Sequence, residues 1–190
     1  MNEGACGRRI TNGFLLTAVF VLGGFAALAV STDALGATLA FDPPSGVIVC
    51  DETLTVDVTI DASVTDLRGF TLVFEFDPAI VAPVSATAGA LVTGAGCPNF
   101  FTWLNAAAIG DSIAIDGATL GCSVAGAGSI AQLRFVGTGI GTSALDCRSG
   151  SMRDSQNAEI PFTCVPGTIE YSCQTPVESE TWGRVKALYR

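Results

Sequence analysis

Histidine is absent from all 190 residues of the chain. That removes the commonest general base, the commonest metal ligand and the Ser-His and Cys-His nucleophile pairs together, and with them most hydrolase mechanisms. Basic residues are scarce, at 9 Lys and Arg against 18 Asp and Glu. Without residues 1–37 the balance is 7 against 16, still net minus nine, a surface that repels nucleic acid and anionic lipid. No Asp-x-Asp-x-Asp-Gly loop occurs, so the chain is not itself a calcium-loop module. No two cysteines lie within four residues of each other, which leaves no zinc-site spacing. No metal and no other cofactor is expected.

What is present begins with an export signal. Arg8 and Arg9 precede a mostly apolar run from Phe14 to Val30, and small residues follow at Ala34, Gly36 and Ala37. This is the layout of a signal peptide and predicts a signal helix, with cleavage after Ala37. The alternative is a retained membrane anchor, since the run is long for a signal core, although Thr17, Gly23 and Gly24 dilute it. The Ile10-Thr11-Asn12 stretch does not continue a twin-arginine signal, which favours general secretion. The expected location is therefore secreted or cell-surface, with membrane contact only through an uncleaved signal or an attached tail.

Cys6 falls inside the removed segment, leaving Cys50, Cys97, Cys122, Cys147, Cys164 and Cys173 as an even set. An even set in an exported chain reads as three disulfides. Six cysteines allow 15 pairings, and spacing does not choose among them.

The body reads as all-β. Leu54, Val56, Val58 and Ile60 alternate with Thr53, Thr55, Asp57, Thr59 and Asp61, the period-2 signature of a half-buried strand. Phe70, Leu72, Phe74 and Phe76 share one face of the next strand, with Thr71, Val73 and Glu75 opposite, until Asp77-Pro78 ends it. Further strands are expected over 47–50, 90–92, 100–104, 112–115, 130–136, 143–147, 160–164 and 168–171, with a polar loop over 148–159 and one helical turn near 78–81. Glycine, asparagine and aspartate punctuate the gaps. Many short strands with turn signals mean a sandwich or barrel. The expected organisation is a signal segment over 1–37, a sandwich over 38–173, and a linker and tail over 174–190.

The run Val64, Asp66-Leu67-Arg68-Gly69, then Leu72-Val73-Phe74-Glu75-Phe76-Asp77-Pro78 resembles the cohesin domain, in which a core strand ends in an aromatic-Asp-Pro corner. Gly89 to Val92, Ser112-Ile113-Ala114-Ile115 and Gly126 to Phe135 fall where that family places its other parts. The resemblance spans roughly residues 38–171. It implies a nine-stranded jelly-roll sandwich with its first and last strands side by side. By that placement it implies the bridges Cys50–Cys173, Cys97–Cys122 and Cys147–Cys164. Sandwiches that bind cellulose share much of the pattern.

Cohesins hold dockerins, small calcium-binding modules attached to enzymes, on one flat sheet face. The resemblance puts that face on the strand before the Asp-Pro corner, at Gly69, Thr71, Val73 and Glu75. Type I members often carry Asn and Asp where this chain has Gly69 and Thr71, so hydrogen-bonding reach is shorter here. An ordinary solvated sheet face is the competing reading. A second candidate is sugar stacking by Phe100 and Trp103, set against core packing of Phe101 and Trp103, because only alternate residues of a strand face outward. Glu75 and Asp77 lie on one side of one strand rather than across a cleft, which does not suit glycosidase chemistry, and no catalytic residue is assigned.

After Pro176, Glu178 and Glu180 precede Trp182, Val185, Leu188 and Tyr189, interleaved with Arg184, Lys186 and Arg190. Thr181 can cap a short amphipathic helix there, with early acids and late bases matching its dipole. Such a helix is marginal alone and needs a surface, either its own sandwich or a docking partner. The expectation for the whole chain is a non-catalytic, cohesin-like binding module for a dockerin-type protein or a polysaccharide. The alternative is a structural or adhesive surface protein in which the sandwich is a spacer.

Overall fold

The computed structural model describes residues 36–105 and 110–173. The segment expected as a signal, up to Leu35, and the tail, including Trp182, Val185, Leu188 and Tyr189, lie outside the described residues.

Two sheets face each other. One is ordered β11 (Phe162–Cys164), β1 (Ala37–Asp42), β3 (Thr53–Ile60), β8 (Gly128–Gly137), β5 (Val81–Ala88). The other runs β2 (Ser45–Val49), β12 (Gly167–Ser172), β9 (Gly141–Arg153), β4 (Gly69–Glu75), β7 (Ser112–Thr119), β6 (Asn99–Asn105), with β10 (Glu159–Ile160) also paired to β9. A single four-residue helix, α1 (Ala90–Thr93), is present among the described residues.

The twelve segments reduce to nine runs of chain once the proline breaks are read through. β1 and β2 are one N-terminal strand interrupted at Pro43 and Pro44, and β10, β11 and β12 are one C-terminal strand interrupted at Pro161 and by Val165-Pro166. Proline has no N–H to give to a ladder, so each interruption lets the strand leave one sheet and join the other. The two broken strands run side by side and parallel in both sheets, β1 with β11 and β2 with β12. This is the jelly-roll sandwich.

The inward faces follow the alternation of the sequence. In β4, Phe70, Leu72 and Phe74 are buried, and in β3, Val56, Val58 and Ile60. Aromatic pairs cross between the layers: the Phe41 and Phe74 rings meet edge-on at 5.3 Å, and those of Phe76 and Phe135 at 6.0 Å. Three disulfides close the body: Cys50–Cys173, Cys97–Cys122 and Cys147–Cys164. The first joins the ends of neighbouring β2 and β12. The third ties β9 of one sheet to β11 of the other.

Several local expectations are corrected. Residues 90–92 are helical rather than a strand, because β8 already has β3 on one side and β5 on the other and offers no free edge there. Gly89 presses so closely on Ser129 that a Cβ would lie 2.3 Å from its carbonyl oxygen, and the chain turns over the end of β8, burying Val92. The stretch expected as a loop over 148–159 is strand as far as Arg153. A register shift between Val73 and Phe74 leaves Arg148 unmatched, and only Met152 is buried beyond it, so the alternation is hidden. β5 lies where no strand is expected, its period broken by a shift between Pro83 and Ser85. β1 begins at Ala37, whose methyl is buried and whose N–H bonds to the Pro161 carbonyl at 2.9 Å. A cut after Ala37 would therefore take the first residue of that strand.

Candidate functional site

The outward side of β9, β4, β7 and β6 is a four-strand face. Its centre is β4, which buries alternate residues and leaves Gly69, Thr71, Val73 and Glu75 on the open side. Strand register sets their neighbours in rows. Arg153, Gly69, Ala118 and Phe100 form one row, and Ser151, Thr71, Asp116 and Thr102 the next. The following row is Ser149, Val73, Ala114 and Leu104, and Glu75 lies between Ser112 and Asp146 beyond it.

These rows grade in chemistry. The β6 side is apolar, with Phe100 53% exposed and Leu104 68% exposed. The β9 side is polar, with Ser149, Ser151 and Arg153. At the centre the Thr71 hydroxyl donates to an Asp116 carboxylate oxygen at 2.6 Å. A cross-strand pair of this kind ties the side chains of neighbouring strands together, and both residues also line the hollow at one end of the face.

One end of the face is hollowed. A shallow open concavity of about 490 Å³ lies over Gly69, Gly117 and Ala118, between Phe100 and Leu120 on one side and Arg68, Arg153, Ser155 and Asn157 on the other. Gly117 is required beneath it, because a Cβ there would lie 2.3 Å from the Phe70 ring. The polar rim is anchored. Ser155 donates its hydroxyl to Asp66 at 2.6 Å, Arg68 donates to the Ser155 carbonyl at 3.3 Å, and Asp154 accepts the backbone N–H groups of Gln156 and Ala158. Hydroxyl donation from Ser123 and then from Ser155 holds the Asp66 carboxyl below its usual range.

The sequence-derived residues divide cleanly. Gly69, Thr71, Val73 and Glu75 are brought together on one face. Phe100 and Trp103 are not, since they lie on opposite sides of β6. Trp103 and Phe101 pack against the core, and Phe100 stands alone outside, so a two-ring sugar platform is not formed. Asp116, Ala118, Arg68 and Arg153 were missed. The expected strand ended at Ile115, yet the alternation continues through Asp116 and Ala118, and extending it would have found both. Arg153 was hidden in the stretch expected as a loop. Glu75 and Asp77 line a small open hollow together with Asp111 and Ala144, and Asp77 uses its carboxylate to accept the Ala79 N–H in the corner turn.

Solved structures with the same architecture share little sequence with the chain. A non-cellulosomal cohesin from Archaeoglobus fulgidus superposes with a TM-score of 0.56 at 15% identity, over 72% of this chain and 90% of that one. A type I cohesin–dockerin complex from Clostridium thermocellum gives a TM-score of 0.60 at 13% identity, over 74% and 96%. A type II cohesin from the cellulosome of Acetivibrio cellulolyticus gives 0.57 at 16%, over 70% and 94%. The fold is cohesin-like. No family model and no curated protein matches the chain. At such identities the likeness concerns the path of the backbone, and the function of this cohesin-like sandwich has to be argued from its own face.

Proposed function

We propose that the chain is an exported, non-catalytic binding module that holds a dockerin-type protein on the outward face of β9, β4, β7 and β6. The observation that carries this reading is the face itself: four hydrogen-bonded strands, tied at the Thr71–Asp116 pair, apolar along β6 and polar along β9. Exposed apolar groups with polar groups beside them are what protein interfaces combine. It stands on a fold whose solved neighbours include a cohesin described in complex with a dockerin. In this reading residues 1–37 direct export, the three disulfides suit the oxidising side of the membrane, and the tail from 174 serves attachment. A polysaccharide ligand has weaker support, because Phe100 is a lone ring without a second aromatic beside it.

The test is a binding titration of calcium-loaded dockerin modules against the oxidised full-length protein and its Thr71→Arg variant. Micromolar or tighter binding that is weakened at least tenfold by the variant supports the reading. Absence of binding to a broad dockerin panel, with the protein folded, overturns it.

A further inference from the structure

Along their strand order the two sheets end in four edge strands, and three of them are blunted. β11 is three residues long. β5 carries Pro83 and a register shift beside it. β2 is five residues between Pro44 and the Cys50–Cys173 bridge. Such devices keep a sheet from recruiting a further strand. β6 has none of them. It is seven residues, Asn99–Asn105, without proline, glycine or charge. Its ladder with β7 is unbroken, from Asn99 opposite Thr119 to Asn105 opposite Ile113. Among the described residues nothing pairs with its other edge, and β5 of the facing sheet comes close without a ladder between them. The Cys97–Cys122 bridge and the Leu120 N–H, bonded to the Pro98 carbonyl at 2.8 Å, fix the start of the strand in place.

The strand is also under-buried. Phe100 is 53% and Leu104 68% exposed on the outward side, and Phe101 and Trp103, on the core side, are only partly buried. Its order Asn-Phe-Phe-Thr-Trp-Leu-Asn reads nearly the same in both directions. Laid antiparallel to itself about Thr102, it sets Phe100 opposite Leu104 twice on the outward side and Phe101 opposite Trp103 twice on the core side. Every apolar position then meets an apolar one. Charge permits the approach at this flank. The chain is net minus nine, which drives copies apart in general, yet β5 and β6 carry no charge and β7 only Asp116. Asp116 lies beside Thr102, so three strand spacings, roughly 14 Å, would separate it from its mate, beyond the screening length in physiological salt.

We propose that a second copy of this chain adds to the free edge of β6, antiparallel and centred on Thr102, so that the two sheets become one across a two-fold axis. This goes beyond the dockerin reading and stands without it. A strand pair of this kind gives each copy main-chain hydrogen bonds for its open edge and cross-strand cover for Phe100 and Leu104. The two-fold axis is normal to the sheet, so both outward faces look the same way and form one face of eight strands, β9 to β6 followed by β6 to β9 of the second copy. The contact is one strand wide, which makes a dimer that forms at micromolar concentration rather than a permanent one.

The test is sedimentation equilibrium of the oxidised full-length protein over a range of concentrations. The expected result is a monomer–dimer equilibrium with a micromolar dissociation constant. Phe100→Lys and Leu104→Glu should each weaken it at least tenfold, because a symmetric pair sets each new charge against an apolar side chain twice. Mixing the two variant chains should restore a one-to-one dimer, in which one pair of positions joins opposite charges and the other keeps Phe100 against Leu104. Thr55→Lys, exposed on the other sheet, should change nothing. Phe100 and Leu104 are both exposed, so each variant should keep its thermal midpoint. Hydrogen exchange on the unsubstituted chain gives a second readout: the β6 amides should become protected as concentration rises.

A protein monomeric at every concentration, association indifferent to Phe100→Lys and Leu104→Glu, or folded variants that do not pair when mixed overturns the proposal. Exchange at β6 that is independent of concentration also overturns it. So does protection of the β6 amides that comes only when a dockerin or another protein is added, which would give this edge to a foreign strand.

Discussion

Thr71 and Asp116 meet across β4 and β7 through a 2.6 Å hydrogen bond at the middle of the open sheet face. The pair is solvated, so its worth to stability is small, at most about 1 kcal/mol. Thr71→Val should leave the thermal midpoint nearly unchanged, whereas Thr71→Arg should raise a long side chain from the middle of the face and weaken partner binding at least tenfold. Calorimetric titration beside a thermal melt separates the two effects.

The disulfides should differ in value by the length of chain that each closes. Cys50–Cys173 spans 123 residues, Cys97–Cys122 spans 25 and Cys147–Cys164 spans 17. Loop-closure entropy then gives about 5, 3.5 and 3 kcal/mol. Paired Cys→Ser variants compared by urea denaturation should follow that order. A larger loss from the 17-residue bridge would mean that its tie between the two sheets outweighs its loop length.

Acid should loosen the start of β1. Asp61 accepts the Ser63 hydroxyl and N–H and the Thr38 N–H, the latter two each at 2.9 Å. Led by the Ser63 hydroxyl, these bonds lower its pKa from 3.8 to about 2. The folded-state pKa lies below the unfolded one, so the stabilisation is complete above 3.8 and is lost as pH falls through 2. Asp61→Asn should flatten the stability curve between those values, read by thermal melts across the acid range. An unchanged acid limb would remove Asp61 from this role.

Phe74 is fully buried and meets Phe41 edge-on across the layers. Phe74→Ala should cost roughly 3–5 kcal/mol through lost burial and the cavity left behind. Because Phe74 points away from the open face, any variant that still folds should bind the partner with unchanged affinity, whereas Thr71→Arg should show the reverse.

Much of this was legible in the residues. The alternation in Thr53 to Asp61 and Phe70 to Phe76 located two central strands and their buried sides, because period 2 is the geometry of a pleated chain with one face in a core. Gly69, Thr71, Val73 and Glu75 follow from the same parity. Where the pleat is broken the signal failed. β5, with its shift beside Pro83, was overlooked, and β9 was read only over 143–147, up to its unmatched Arg148, because an extra residue inverts the alternation on either side of it.

The chain's order of residues by itself determined an all-β body, an even set of six cysteines, a histidine-free chemistry and which side of each regular strand is apolar. These are local or compositional properties, set by side chains and the two-residue pleat. The tertiary structure alone decided that Asp116 and Ala118 lie next to Thr71 and Gly69, and that Phe100 is separated from Trp103. It also decided that Arg68 and Arg153 face Phe100 across one hollow. Those relations join residues far apart along the chain, and they depend on strand order and register, which the packing of two sheets selects and no single segment encodes.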